Sequence, residues 1–481
     1  MQVCSFVRKG IDLEAVEIEV SLVPGIPIFH LIGLPDTSIK ESIMRIKSAL
    51  RHQGFKLPKN EQVIFHLKPS HEKKSSQGLD LALAAAYLWK TNQLRKPQIN
   101  SGEKFFLYGE VSLEGQVAAP QDLELLENAP ENSVFITGEE KSSLNFQHGR
   151  VNSLRDLDHI TWCEGKFSTP LDTQTHSRYE DFKFSPLAAE LLAVTATGEH
   201  NIFLAGPAGT GKTTFSEALH SLLRLPTPIE RRKIEKISRI TGCKISGRPL
   251  ISPHHSSSEI ALLGGGVPPQ PGEITRAQHG VLVLDEFLEF KHAVKESLRE
   301  PIEKHEMTVS RAGARVTFPA DFLLVGTSNL CPCGDYAPNK PVGCGFHSTY
   351  CKSYYKRLSG PLLDRFEIVA FSHEWSGQDK IMYCDIHKKI RVAQEFAKTS
   401  RGQEKMNSRL SLKECEDGTP SFVRRNLLPE RPASHRRLLA LYRVARTFAD
   451  LEESPNILGR HIEKAKNLTI QPFREMKEAW R

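Results

Sequence analysis

The sequence predicts an α/β architecture with a helical C-terminal end, and three observations carry that reading. From Asn201 onward apolar runs alternate with helical stretches, the pattern of a parallel sheet wrapped by crossover helices. NIFLAGPAGTGKTTF (201–215) sets a G-x-x-x-x-G-K-T loop between an apolar strand and a helix, the context this phosphate-binding loop requires. After about residue 376 the strand-like runs stop, and a basic, helical segment continues to residue 481.

The N-terminal third reads as mixed α/β. AVEIEVSL (15–22) alternates like a half-buried strand. A helix follows Pro35-Asp36, with Ser38 and Glu41 suited to a capping box and Ile39, Ile43, Ile46 and Leu50 on one face. LDLALAAAYLW (79–89) is a second, more buried helix, and FFLYGEVSLEGQVAAP (105–120) reads as two strands joined at Glu114-Gly115. The polar stretch KFSTPLDTQTHSRYED (166–181) is a linker. These breaks divide the chain into an N-terminal domain (1–165), a linker (166–183), a nucleotide-binding core (184–375) with a cysteine-rich insertion (331–351), and a helical lid (376–481).

The bulk numbers agree. The 481 residues, 39% of them hydrophobic, suffice for two or three cores. A net charge of +7 favours anionic partners only weakly. The first twenty residues lack the apolar centre of a signal peptide. LVPGIPIFHLIGLP (22–35) is too short and proline-broken to span a bilayer, so no membrane partner and a cytoplasmic location are expected. Nine cysteines, an odd number, fit a reducing compartment. That leaves metal ligation or buried thiols for CPCGDYAPNKPVGCGFHSTYC (331–351).

The chemistry follows from four stretches. In the loop, Gly206, Gly209 and Gly211 let backbone amides curl around phosphate, Lys212 reaches the β- and γ-phosphates, and Thr213, followed by Thr214, offers a hydroxyl to Mg²⁺. VLVLDEF (281–287) is a buried strand ending in Asp285, a Mg²⁺ holder, and Glu286, which orients and polarises the attacking water. DFLLVGTSN (321–329) ends in Asn329, where strand ends meet at a ligand crevice. In LSGPLLDRFE (358–367) the pair Asp364-Arg365 is, taken alone, more often a structural salt bridge. Loop and acidic strand together imply a nucleotide hydrolase using ATP and Mg²⁺.

These residues together resemble the magnesium-chelatase-like ComM/YifB family of AAA+ ATPases. The likeness runs through GRPLISPHHSSSEIALLGGGVPPQPGEITRAQHGVLVLDEF, VSRAGARVTFPADF, NLCPCG, RLSGPLLDRFE and RVARTFADLE. In the N-terminal part, GLPDTSIKESIMRIKSAL and YGEVSLEGQV resemble the family's Lon-protease-like α/β domain. The resemblance implies a Lon-like domain, an AAA+ P-loop core and a helical lid. It makes Asn329 the sensor-1 residue, Arg365 an arginine finger reaching the neighbouring subunit's γ-phosphate, and Arg436 in SHRRLL the sensor-2 arginine, with adjacent Arg437 leaving the register open. A finger supplied in trans implies a homo-hexameric ring. The family's implied task is ATP-driven movement along DNA, including branch migration during uptake and recombination of foreign DNA.

Other implications concern particular stretches. Where the family carries a Gly-Gln adenine-proximal motif, this chain has FKFSP (182–186). Cys331, Cys333 and Cys344 match three of four family cysteines, Phe346 replaces the fourth, and Cys351 or His347 would complete a structural Zn²⁺ shell. Aligning KKSSQGLDL (73–81) on Lon-type enzymes puts Gly78 at the nucleophile, so the domain is expected to be catalytically inactive. MTVSRAGARVTF (307–318) reads as a β-hairpin with a basic tip, Arg311 and then Arg315, placed to meet DNA in a ring's pore. Basic RRKIEKISRITGCK (231–244) is a second, weaker candidate for DNA, more easily explained as a solvated helix face. A protein unfoldase or a chelatase-type motor is the competing reading. The chelatase motor resembles only the ATPase part, so the N-terminal 160 residues speak against it.

Overall fold

A computed structural model describes residues 2–34, 37–69, 78–126, 129–138, 144–165, 179–243, 245, 247–266, 269–311, 314–334, 350, 353–354, 360–375, 379–427 and 434–478. Its N-terminal part is an eight-stranded mixed sheet in the order Thr161–Cys163, His148–Arg150, Ser133–Thr137, Lys104–Tyr108, Gln2–Lys9, Asp12–Pro24, Glu61–Lys68, Phe29–Ile32. Successive side chains on a strand point to opposite faces. Val3 and Val7 therefore enter one core, packed with helices Thr37–His52 and Asp80–Lys90, while Cys4 and Phe6 enter another with Phe106, Tyr108 and Phe135. Both faces are covered, which is why the strand KFFLY is an apolar run with no alternation.

Ile39, Ile43, Ile46 and Leu50 are buried, as helical spacing predicts, but Ser38 lies inside the helix, which starts at Thr37. The second helix is buried from Asp80 to Trp89. Its buried carboxylate Asp80 needs a partner, and Arg45 supplies one through two bonds of 2.9 and 3.1 Å. The 105–120 stretch corrects the two-strand expectation, because it holds three strands. Lys104–Tyr108 joins the large sheet, and Glu110–Val111 pairs with Val117–Ala118 across the turn at Gly115. The break falls at Gly109, whose N–H donates to Gly78 O (2.8 Å) and whose carbonyl accepts from Leu81 N (3.0 Å), so its backbone is committed to seating the buried helix.

The second sheet is parallel throughout, in the order Leu250–Ile251, Val281–Leu284, Leu323–Ser328, Ile202–Ala205, Ile368–Phe371. One face packs Phe203, Leu282 and Leu324 against Phe287 and Phe366, and the other carries Ile202, Leu204, Val283 and Val325 into the lid helices. The C-terminal ends of three central strands lead directly into Gly206, Asp285 and Asn329. This is the mixed α/β fold with a parallel core that the sequence predicts.

Helices from Tyr383–Arg401 to Gln471–Glu478 follow. One short strand, Ile381–Met382, departs from the all-helical expectation and pairs with Lys183–Phe184. Two residues are too few to show a period. Helix His435–Leu451 is fixed to the core through buried polar groups: His200 Nδ1 lies 2.8 Å from Glu367 Oε2, and its Nε2 lies 2.7 Å from Thr447 Oγ1. Among the described residues no helix is long and apolar enough to cross a membrane. Most of the expected linker, the hairpin tip Ala312-Gly313, and Cys344, His347 and Cys351 lie outside the described residues.

Candidate active site

Between strand Ile202–Ala205 and helix Lys212–Leu222, residues 206–211 turn through three glycines with positive φ: Gly206 (149°), Gly209 (74°) and Gly211 (87°). A Cβ on Gly206 would strike Ser372 Oγ, whereas Gly209 and Gly211 have open space within 4 Å of where a Cβ would stand. Bare left-handed backbone at the N-terminus of an eleven-residue helix suits a phosphate chain. Lys212 Nζ donates to Gly206 O (2.9 Å), Pro207 O (2.7 Å) and Asn329 Oδ1 (3.1 Å). Burial pulls the Lys212 ammonium below the usual lysine range, and Asp285 offsets part of that. Thr213 is exposed on the first helical turn, with Thr214 half-buried beside it.

On the neighbouring strand end, Thr327 donates to Asp285 Oδ1. The Glu286 N–H lies 3.1 Å from Asp285 Oδ1 and 3.3 Å from Thr327 Oγ1. Glu286 has φ 52°, a left-handed conformation uncommon outside glycine and found at functional sites. Its carboxylate Oε2 sits 3.2 Å from His255 Nδ1. Lys212 and Asn329 thus meet at the strand ends, with Asp285 close enough to act on the Lys212 charge.

The Cys-Pro-Cys-Gly stretch is a tight turn under this loop. Gly334 N–H donates to Cys331 O (3.0 Å), Gly334 takes φ 82°, and its carbonyl accepts from Ala208 N in the phosphate loop (3.0 Å). The Cys331 and Cys333 sulfurs stand 3.1 Å apart. Among the described residues no group of three or more His, Cys, Asp or Glu is placed to hold a metal, and the other expected ligands, Cys344, His347 and Cys351, lie outside them.

The contacts of the two predicted arginines run elsewhere. Arg365 Nη2 donates to Glu303 Oε1 at 2.6 Å, and Arg436 donates to the same oxygen. Burial lowers Arg365, Glu303 raises it, and Arg436 and Arg299 lower it again, so one carboxylate faces a surplus of positive charge. The structure separates the adjacent arginines of SHRRLL. Arg437 is buried, donates to the carbonyls of Asp364 (2.7 Å) and Thr469 (3.2 Å), and stacks over Phe473. Arg436 is half exposed and reaches outward to Glu303.

The hairpin is present, Glu306–Arg311 pairing antiparallel with Ala314–Pro319. Arg315 is exposed, opposite Ser310. Arg311 ends the first strand opposite Ala314, and its side chain lies outside the described set. Val309 and Phe318 on the other face bury against Ile11 and Ile237. The turn between the first two N-terminal strands is therefore wedged between this hairpin and the basic helix Pro228–Thr241, where Lys236 pairs with Asp12 at 2.9 Å. That helix buries Ile234 and Ile237 and turns Arg232, Lys233 and Arg239 outward, so the basic residues form a solvated face. Sequence reasoning missed Glu303, Thr327, His255 and the Thr210–Ser372 contact (2.5 Å), all of which depend on long-range pairing that no local spacing signals.

A phosphate loop, an Asp-Glu strand end and a polar residue on the strand between them define a P-loop ATPase of the AAA+ type. Comparison with known proteins supplies the family. Residues 179–379 match the family model described as magnesium chelatase, subunit ChlI, and residues 18–134 match one described as subunit ChlI of Mg-chelatase. The chain is 30% identical over 501 residues to the competence protein ComM of Haemophilus influenzae, covering 96% of each. It is 30% identical over 494 residues to YifB of Escherichia coli, covering 95% of this chain and 94% of that protein. A shorter likeness, 24% over 209 residues, links 41% of this chain with 26% of a probable DNA helicase, MCM9, of Arabidopsis thaliana. The chain belongs to the ComM/YifB family of magnesium-chelatase-like AAA+ ATPases. The likeness to the magnesium-chelatase 38 kDa subunit of Chlorobaculum parvum, 23% over 300 residues, spans 56% of this chain and 82% of that protein, while a model with a chelatase description covers residues 18–134.

Proposed function

We propose that this ATPase works as a homo-hexameric ring that moves along DNA, as a branch-migration helicase or translocase in recombination or natural transformation. Gly206, Gly209, Gly211, Lys212 and Thr214 hold the ATP phosphates, and Glu286, with Asn329, orients the attacking water. Thr213 and Asp285 would hold Mg²⁺, which when bound would neutralise developing phosphate charge. Arg365 is offered to the next subunit as an arginine finger, and Arg436 serves as the sensor-2 arginine. The open loop over Gly209 and Gly211 fits the phosphates, which is the test the residues themselves pass.

The observation that carries the DNA reading is the hairpin: Arg315 is exposed while the opposite face is anchored to the body of the protein. Full-length similarity to a competence protein and partial similarity to a probable DNA helicase support it. Arginine forks grip phosphate without reading sequence, the kind of contact a motor needs. Replacing Arg311 and Arg315 by Ala should weaken single-stranded DNA binding and flatten its salt dependence by roughly 0.7 in log–log slope for each phosphate no longer neutralised. Basal turnover should persist. Unchanged affinity and slope in both variants would move DNA away from the hairpin.

The N-terminal domain, in this reading, is a Lon-like collar and not a peptidase. A Cβ on Gly78 would come within 2.7 Å of Pro120 Cγ and closer still to the Tyr108 ring, so the position of the missing nucleophile is filled by its neighbours. A serine-directed phosphonate should leave the domain unlabelled, and Gly78→Ser should destabilise it by about 1–3 kcal/mol through overpacking. Labelling of the native protein would contradict this. The competing reading, a protein-remodelling or chelatase-type motor, draws on the chelatase descriptions of both matching models.

A further inference from the structure

An arginine that must reach a neighbouring subunit needs a fixed base, because its long side chain magnifies any error in the backbone that carries it. The backbone around Arg365 has such a base. Arg365 N–H donates to Leu362 O at 3.0 Å and Phe366 N–H to Leu363 O at 3.1 Å, so the short helix Gly360–Leu363 runs on into a closed turn. On the sheet side, fully buried Phe366 sets its ring 5.3 Å from that of Phe203 and 5.6 Å from that of Phe287.

On the lid side the turn meets a single guanidinium. Arg437 Nη2 donates to Asp364 O at 2.7 Å and also to Phe366 O, the two carbonyls that flank Arg365. Its Nη1 donates to Thr469 O at 3.2 Å, at the end of helix Gly459–Thr469, and the guanidinium carbon lies 4.0 Å from the Phe473 ring centroid. Only 2% of the side chain is exposed. Burial brings Arg437 down to about 10, with Asp364 and Glu367 offsetting part of that, so the group stays charged at neutral pH. A buried charge is tolerated only where its donors are met, and here they are met largely by the backbone on both sides of Arg365. A planar fork can hold two carbonyls at a fixed spacing, which a point charge cannot. The same helix, His435–Leu451, takes a second hold on this segment through Arg443 Nη1, 3.0 Å from Glu367 Oε1. Arg436 on its first turn faces outward, so the inward grip belongs to Arg437.

We propose that Arg437 is a positioning residue for ATP hydrolysis in the neighbouring subunit. By clasping the carbonyls on both sides of Arg365 it fixes the base from which that arginine reaches the γ-phosphate. The proposal rests on the reading of Arg365 as an arginine finger. Arg437 acts through Arg365 and not on the nucleotide of its own subunit.

Turnover, affinity for a fluorescent ATP analogue, and subunit mixing of the full-length protein test it together. An error of about 1 Å at a reacting group costs on the order of a hundred-fold, so Arg437→Ala should lower kcat roughly ten- to a hundred-fold and leave nucleotide affinity unchanged. Mixed with Glu286→Gln subunits, Arg437→Ala subunits should regain activity, because their pockets are intact and receive a sound finger from the neighbour. Mixed with Arg365→Ala subunits they should regain none, because both then present a faulty finger. Arg437→Ala added to Arg365→Ala should cost nothing further in kcat. Arg437→Lys keeps the buried charge but not the fork, and carries the same comparisons if the alanine variant does not fold; it should be slow with the same mixing pattern. Wild-type kcat in both Arg437 variants, or recovery with Arg365→Ala but not with Glu286→Gln, would overturn the proposal, the latter by placing Arg437 in service of its own pocket. No recovery with either partner would also overturn it, by making Arg437 a support of the whole fold. Arg365→Ala alone separates the two readings. If it turns over at the wild-type rate, the finger assignment falls and this proposal with it. If it is slow while the Arg437 variants are normal, only the role of Arg437 falls.

Discussion

Lys212→Ala protein should show no saturable ATP binding and no turnover, and Glu286→Gln protein should bind ATP normally yet hydrolyse it roughly a hundred-fold more slowly, or slower still. The two losses differ because the two residues stand at different stages of the reaction. Lys212 is a half-buried ammonium whose three described bonds go to Gly206 O, Pro207 O and Asn329 Oδ1. With its charge partly desolvated, it interacts strongly with an incoming polyphosphate, since attraction grows as local dielectric falls. Glu286 lies at the strand end two strands away, held by its backbone, with its carboxylate more than half exposed and Oε2 3.2 Å from His255 Nδ1. Removing a water-activating carboxylate costs about 10²–10⁴ in rate and leaves binding intact. Isothermal titration with a non-hydrolysable ATP analogue, alongside phosphate release, separates the two. Tight binding by Lys212→Ala, or rapid hydrolysis by Glu286→Gln, would contradict the assignment.

Arg365→Ala should bind ATP like the wild type and lose about 10³-fold or more in turnover, the scale of an arginine finger. Within one chain, Arg365 and Arg436 both rest on Glu303. As a partly exposed ion pair that interaction is worth about 0.2–1 kcal/mol, and removing it would scarcely be felt in stability or rate. The effect on turnover therefore distinguishes the two roles. Mixing Arg365→Ala with Glu286→Gln subunits should restore part of the activity, because some interfaces then join an intact pocket to an intact finger. Wild-type turnover in Arg365→Ala, or no recovery on mixing, would make Arg365 a structural partner of Glu303.

What the sequence made legible is what local chemistry writes locally. The glycine loop, the run VLVL before Asp285-Glu286, and the alternation of MTVS and ARVTF each announce themselves within a dozen residues. The five-stranded core was readable in outline, but two of the short strands that matter were not. Leu250–Ile251 and Lys183–Phe184 span two residues each, too few to show a period, yet the first of them sets His255 beside Glu286. Neighbouring Arg436 and Arg437 look alike in sequence, and only packing separates them, because helix His435–Leu451 turns Arg437 onto the carbonyls around Phe366. Glu303 stands 62 positions before Arg365, so no spacing pairs them. That a side chain at Gly78 would run into Tyr108 and Pro120 required the fold.

Whether ATP turnover serves movement on DNA is tested most directly by phosphate release. The full-length protein is assayed alone, then with single-stranded DNA, with duplex, with a branched junction and with an unfolded protein. A DNA motor should be stimulated by DNA, less so in the Arg311→Ala and Arg315→Ala variants, and not at all by the unfolded polypeptide. Stimulation by the unfolded protein with no response to any DNA would contradict the DNA reading and favour a protein-remodelling motor.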